Sequence, residues 1–175
     1  MTGAGPGAIV DFRTEKGPVS AVTLALEHWP TGTVIHEERL EKRLKVSRFH
    51  MPPVVLDDGP RPPKGDPIPA TLFPLWLQCP VCNVLQSAWP HDQGEASRFC
   101  PDCSPDPKKK TYVIPAPFVA ACESGHLDDF PWDYWVEHKP ECHRPKQYTL
   151  RSEGGGAGLS ALVLRCRDKD CKAST

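Results

Sequence analysis

The chain has 175 residues, a formal net charge of -1, 39% hydrophobic residues and a mean hydropathy of -0.43. Its 21 Pro and 13 Gly stand well above the roughly one-eighth of an average chain, which excludes a long periodic helical bundle, and the thin apolar fraction excludes a large doubly wound sheet. Five Trp, six Phe and eight Cys exclude a disordered linker, and the charge balance carries no overall basic excess of the nucleic-acid-binding kind.

In chain order, Ala8–Phe12 and Val19–Leu26 read as short strands parted by the turn-like Lys16-Gly17-Pro18. Trp29-Pro30 suits a loop, and Thr33 can cap a helix over about Val34–Val46. There, Glu38→Lys42 and Glu41→Lys45 are i,i+4 pairs worth about 0.2–0.5 kcal/mol each. The proline-rich stretch 53–70 cannot continue a helix and reads as a linker. Leu72–Gln78 and Val113–Ala121 are strand candidates that feed into cysteines. Gln147–Ser152 and Leu159–Cys166 read as a hairpin joined by the glycine loop 153–158. The expected organisation is an N-terminal α/β segment (1–52), a linker (53–70), a zinc-ribbon module (71–112) and a second zinc-binding module (113–175). The fold class is α+β: small and loop-rich, with short antiparallel strands and hairpins, zinc-ribbon-like modules and a few short helices.

The N-terminus has neither a basic nor an apolar region of the secretory kind. The longest near-apolar run, Ala21–Leu26, is far short of the roughly 20 residues of a membrane helix. A cytoplasmic location with no membrane contact is expected, where cysteines stay reduced and metal explains them better than disulfides.

Cys79-Pro80-Val81-Cys82 is followed after 17 residues by Cys100-Pro101-Asp102-Cys103. Each C-x2-C knuckle turns two thiolates toward one point, and the spacing predicts a closed structural zinc site. A second zinc has more donors than places: Cys122, His126, Cys142, His143, Cys166 and Cys171. Cys166-x4-Cys171 is the pair expected to bind, Cys142 the third ligand, and either Cys122 or His126 the fourth. A catalytic alternative places an open metal on His126 with Asp128 and Asp129, but the two Asp more simply cap a short helix starting near Phe130-Pro131.

Residues 130–135 carry four aromatics, with Trp132 and Trp135 on one helical face. That face suits a core, a base-stacking platform or an interface. Charge is uneven here: residues 121–141 hold six acids and Lys139, whereas 142–175 hold seven bases and three acids. Lys108, Lys109 and Lys110, with Arg165, Arg167, Lys169 and Lys172, are the candidate phosphate contacts.

The run Ala121-Cys122-Glu123-Ser124-Gly125-His126-Leu127-Asp128-Asp129-Phe130-Pro131-Trp132 resembles the AC-x-x-GH-[LI]-DDFPW signature of the DrmB family. Gly5–Asp11, Glu38-Arg39-Leu40, Phe49–Pro53 and Phe73–Pro80 resemble that family's other stretches in the same order. Its members are the helicase-associated component of DISARM phage defence and are several times longer, so the chain resembles their N-terminal zinc-bearing part. The resemblance implies a non-catalytic, zinc-binding accessory subunit that docks on a DrmA-like superfamily 2 helicase and meets DNA through that complex. The alternatives are a stand-alone DNA-binding zinc-ribbon protein and a metal-dependent hydrolase using His126 and Asp128.

Overall fold

The computed structural model describes residues 5–14, 17–52, 67–91, 96–143, 145–154, 158–171 and 173–175. Most of the expected linker (53–66), three residues of the glycine loop (155–157) and Lys172 lie outside the described residues. The fold is mixed α+β, with short antiparallel strands and few helices. Among the described residues no helix is long and apolar enough to cross a membrane.

The chain divides into two compact units, Met1–Val10 with Val22–Thr71 and Asp11–Ala21 with Leu72–Thr175. β1 (Ile9–Thr14), β2 (Gly17–Thr23) and β5 (Ala70–Leu72) form a three-stranded sheet in the order β1-β2-β5.

In the first unit the expected helix over Val34–Val46 is shorter. Val34–Ile35 forms β3 against β4 (Phe49–His50), and only Glu38–Leu44 is helical, as α1. The reason is local: β-branched Val34 and Ile35 favour a pleated partner. The Glu38–Lys42 pair forms at 3.7 Å. Glu41 instead accepts from the Glu37 N–H (3.2 Å) and meets His36 Nδ1 (3.1 Å). Gly32 is held by close backbone approach, since a Cβ there would lie 1.8 Å from the Met51 carbonyl oxygen.

The second unit is built on a five-stranded antiparallel sheet. Its strands are β6 (Leu77–Gln78), β7 (Val84–Gln86), β8 (Ile114–Pro115), β11 (Tyr148–Ser152) and β12 (Leu162–Cys166), in the order β12-β11-β7-β6-β8. A single sheet therefore draws strands from both sequence segments expected to be separate modules. The joints are β11 on β7, with Tyr148 opposite Leu85 and Thr149 opposite Val84, and β8 on β6, with Leu77 opposite Pro115. Successive strand residues face opposite ways, and β7 uses this to serve two cores. Val84 packs with Cys79, Trp89, Cys100 and Val113. Leu85 packs with Trp132, Val136, Tyr148, Leu150, Leu164, Cys166 and Cys171. The register explains the second set: Tyr148 faces Cys166 and Leu150 faces Leu164 across β11 and β12.

A separate hairpin pairs β9 (Val119–Ala121) with β10 (Leu127–Asp129), and α2 (Trp132–Trp135) follows. The expected capping by Asp128 and Asp129 is not made. Both lie in β10, and the N-cap position of α2 is Pro131, without a side-chain cap bond. Asp129 is engaged elsewhere, accepting from the Leu75 N–H at 3.0 Å and the Trp76 N–H at 3.3 Å.

Candidate metal centres

Cys79, Cys82, Cys100 and Cys103 converge, with all four sulfurs within 4.8 Å of one another. The first knuckle closes because Asn83 adopts a left-handed conformation (φ 62). This lets its N–H reach the Cys79 carbonyl at 2.9 Å while the Cys79 N–H bonds Val84 at 2.8 Å. Asn is among the few residue types that tolerate this region. The second knuckle is clamped by side chains. Ser104 Oγ donates to the Cys100 carbonyl (2.6 Å), and Thr111 Oγ1 donates to that of Cys103 (2.7 Å). The Cys100 N–H bonds the Thr111 carbonyl at 2.9 Å. Trp89 seals the floor, its indole N–H shared between the Leu77 and Gln86 carbonyls.

The second group is His138, Cys142, Cys166 and Cys171, again within 4.8 Å. Cys166, Cys171 and Cys142 are the expected ligands, but the fourth donor is His138. Neither Cys122 nor His126 is in this group. His138 and Cys142 sit on the loop that leaves α2, and Cys166 ends β12. Asp168 shapes the turn to Cys171: its Oδ1 accepts from the Asp170 N–H (2.9 Å) and the Cys171 N–H (3.2 Å). Its own N–H points at Cys166 Sγ (3.4 Å). The His138 side chain is only 3% exposed. Its Nδ1 lies 3.2 Å from Cys142 Sγ and 3.6 Å from Cys171 Sγ. Its Nε2 lies 3.3 Å from Asp133 Oδ1, off the line of a full hydrogen bond. The same Asp133 oxygen accepts from the Tyr148 hydroxyl at 2.8 Å. A carboxylate behind the far nitrogen of a histidine is the usual support of a metal-bound imidazole.

Both groups fit a tetrahedral cation. Bonds of about 2.3 Å from one zinc to two sulfurs place those sulfurs about 3.8 Å apart. The Cys82–Cys100 and Cys142–Cys166 separations are both 3.8 Å. All eight cysteines are free thiols. Electrostatics agree, because each cluster favours one thiolate and resists another. Burial pushes the Cys100 thiol up, and likewise Cys103; burial would also raise Cys79, but the N–H groups of Cys82 and Val81 hold it below the usual range. Burial, aided by neighbouring Cys142 and Cys171, pushes Cys166 up to about 12. Burial opposes ionisation of Cys171 as well, yet the backbone at Lys139 and Ala173 and the His138 imidazole bring it down to about 6. A divalent cation supplies the positive charge that lets the resisting thiols ionise together.

The other predicted residues lie outside these two clusters. Cys122 and His126 face each other at 3.2 Å, both exposed, across the turn of the β9–β10 hairpin. His143 is exposed, its Nδ1 3.4 Å from Asp168 Oδ2. Lys108, Lys109, Arg167 and Lys169 are exposed. Lys110 lies over the Phe99 ring at 4.5 Å, and Arg165 pairs with Glu153 at 3.1 Å. Trp132 is buried and Trp135 half-exposed, and the two line one open apolar cleft of about 320 Å³ with Phe118, Phe130, Leu159 and Leu162.

The sequence is 29% identical over 162 residues to the DISARM protein DrmB of Bacillus paralicheniformis (strain ATCC 9945a / NCIMB 11709 / CD-2). That match covers 88% of this chain and 26% of the relative, so the chain spans about a quarter of the relative's length. The chain is thus DrmB-like over most of its residues. The family described as a domain of unknown function, DUF8724, matches residues 1–175, and the chain belongs to it.

Proposed function

We propose that this chain is a non-catalytic, zinc-binding accessory subunit of an anti-phage defence complex, docking on a superfamily 2 DNA helicase and helping it engage DNA. The observation that carries this reading is the identity to a DISARM protein over 88% of the chain. The metal centres support it. Four protein donors complete a tetrahedron and leave no position for substrate or activated water, the mark of structural rather than catalytic zinc. Thiolate-rich shells select zinc over magnesium or calcium. Nor do the residues of the hydrolase alternative gather among the described residues: His126 contacts a thiol, Asp128 Oδ1 accepts the Asp129 N–H, and Asp129 is tied to backbone N–H groups. Helicase contact is supported by the apolar cleft at Trp135, which is 53% exposed, beside Tyr134 and Leu159, also exposed. Aromatic anchors of this kind carry most of the energy of protein interfaces. DNA is met through the complex, with Lys108, Lys109, Arg167 and Lys169 as the free-facing cations.

Co-expression with a DrmA-like helicase of the same source tests the reading. A stable complex at low salt is expected, weakened at least tenfold by Trp135→Ser. Failure of the intact, metal-loaded chain to associate at low salt overturns it. Tight, steeply salt-dependent DNA binding by the chain alone would favour the stand-alone alternative.

A further inference from the structure

The second cluster supplies an internal template. Its first two donors, His138 and Cys142, are three intervening residues apart, with Nδ1 and Sγ 3.2 Å apart. The β9–β10 hairpin repeats this arrangement in reverse order: Cys122 and His126 are also three intervening residues apart, and Sγ and Nδ1 again lie 3.2 Å apart. The hairpin holds them there. The Cys122 N–H bonds the His126 carbonyl at 3.1 Å, and the Gly125 N–H bonds the Cys122 carbonyl at 2.9 Å. Gly125 takes the positive φ (+83) that the turn requires. The pair differs from its template in exposure, since both side chains face solvent.

We propose that Cys122 and His126 form a third, surface metal site, a two-ligand half-site for a zinc-class cation with water in the remaining positions of the isolated chain. Thiolate and imidazole are the donor types this cation prefers. Among the described residues no neighbouring carboxylate completes the shell. Asp129 is held by the N–H groups of Leu75 and Trp76, and Asp128 Oδ1 accepts the Asp129 N–H at 2.7 Å. Binding releases the thiol proton and leaves the imidazole neutral. Two protein ligands give a weaker, exchangeable site than the closed clusters.

Equilibrium dialysis of the full chain against buffered zinc, first at a level that fills only the tight sites and then at higher free zinc, tests this. One additional equivalent per chain is expected at the higher level. Cys122→Ser and His126→Ala each lose that equivalent, while the tightly held count stays the same, and His126→Cys retains it. With cobalt as the probe, the added equivalent brings a thiolate charge-transfer band that Cys122→Ser lacks. No added equivalent in the wild-type chain, or one that persists in both loss variants, overturns the site. The wild-type-to-variant difference is read independently of how many ions the closed clusters hold, so failure here is distinct from failure there.

Discussion

The first cluster takes its donors from two knuckles folded around a small local core of Val84, Trp89 and Val113. The second takes one pair from the loop after α2 and another from the far end of β12, and its sulfurs form part of the larger core with Leu85, Trp132 and Tyr148. The difference lies in what remains when metal is absent. Around the first cluster little apolar surface would stay buried, so metal binding and local folding are expected to be nearly one event. Around the second, the five-stranded sheet and aromatic core are expected to persist, and a bound metal would fasten the loop that carries His138 to that core.

The largest expected effects test this contrast. Cys100→Ser should release one metal ion per chain and unfold the knuckle region, because structural zinc contributes about 10–16 kcal/mol of apparent folding free energy in small domains. His138→Ala should also release one ion, yet leave strands β11 and β12 protected. Metal counting together with hydrogen exchange on the same samples distinguishes the two. Equal loss of protection across the whole sheet in both variants would break the comparison. Retention of both tightly held ions in His138→Ala would remove His138 from the second centre.

The same contrast explains what was legible in the sequence. Each C-x2-C knuckle is a local turn, so Cys79, Cys82, Cys100 and Cys103 could be read from spacing alone. Cys166-x4-Cys171 is local for the same reason. His138 was missed, although His138-x3-Cys142 has ligand spacing, because Cys122-x3-His126 offers that spacing too. Only the tertiary path separates them, turning one pair inward behind α2 and the other outward on a hairpin tip. Asp128 and Asp129 misled in a similar way. Beside a proline they read as caps, but pairing of Leu127–Asp129 with Val119–Ala121 takes them into a strand. The helix over Val34–Val46 lost its first turn to a long-range partner, Phe49–His50, which periodicity does not register.

A smaller effect sharpens the comparison from behind the second centre. Asp133→Asn keeps the size of the side chain but removes the charge beside His138 Nε2. Loss of such support lowers metal affinity by about 10–100-fold. Tyr148→Phe, which deletes the hydroxyl bonded to Asp133, should do the same more weakly. Competition with a chromophoric chelator should show the change in one of the two tightly held ions. Weakening of both would mean that the clusters are coupled through β7 rather than separate.

The smallest effect concerns the turn between Cys166 and Cys171. The N–H of Asp170, and then those of Cys171 and His143, hold the Asp168 carboxyl below the usual carboxylate range. A carboxylate of this kind stabilises the folded state at every pH above its ordinary value near 3.9, and that stabilisation is lost as pH falls through the lower folded value. Asp168→Asn should therefore lower the melting temperature by the same modest amount at pH 8 and pH 5. His143 offers the rival source, with its Nδ1 3.4 Å from Asp168 Oδ2. If the imidazole were the stabilising partner, His143→Gln would abolish the difference in melting temperature between wild type and Asp168→Asn. A difference that survives in the His143→Gln background assigns the turn to backbone N–H donors on the carboxylate, and one that vanishes there assigns it to the ion pair.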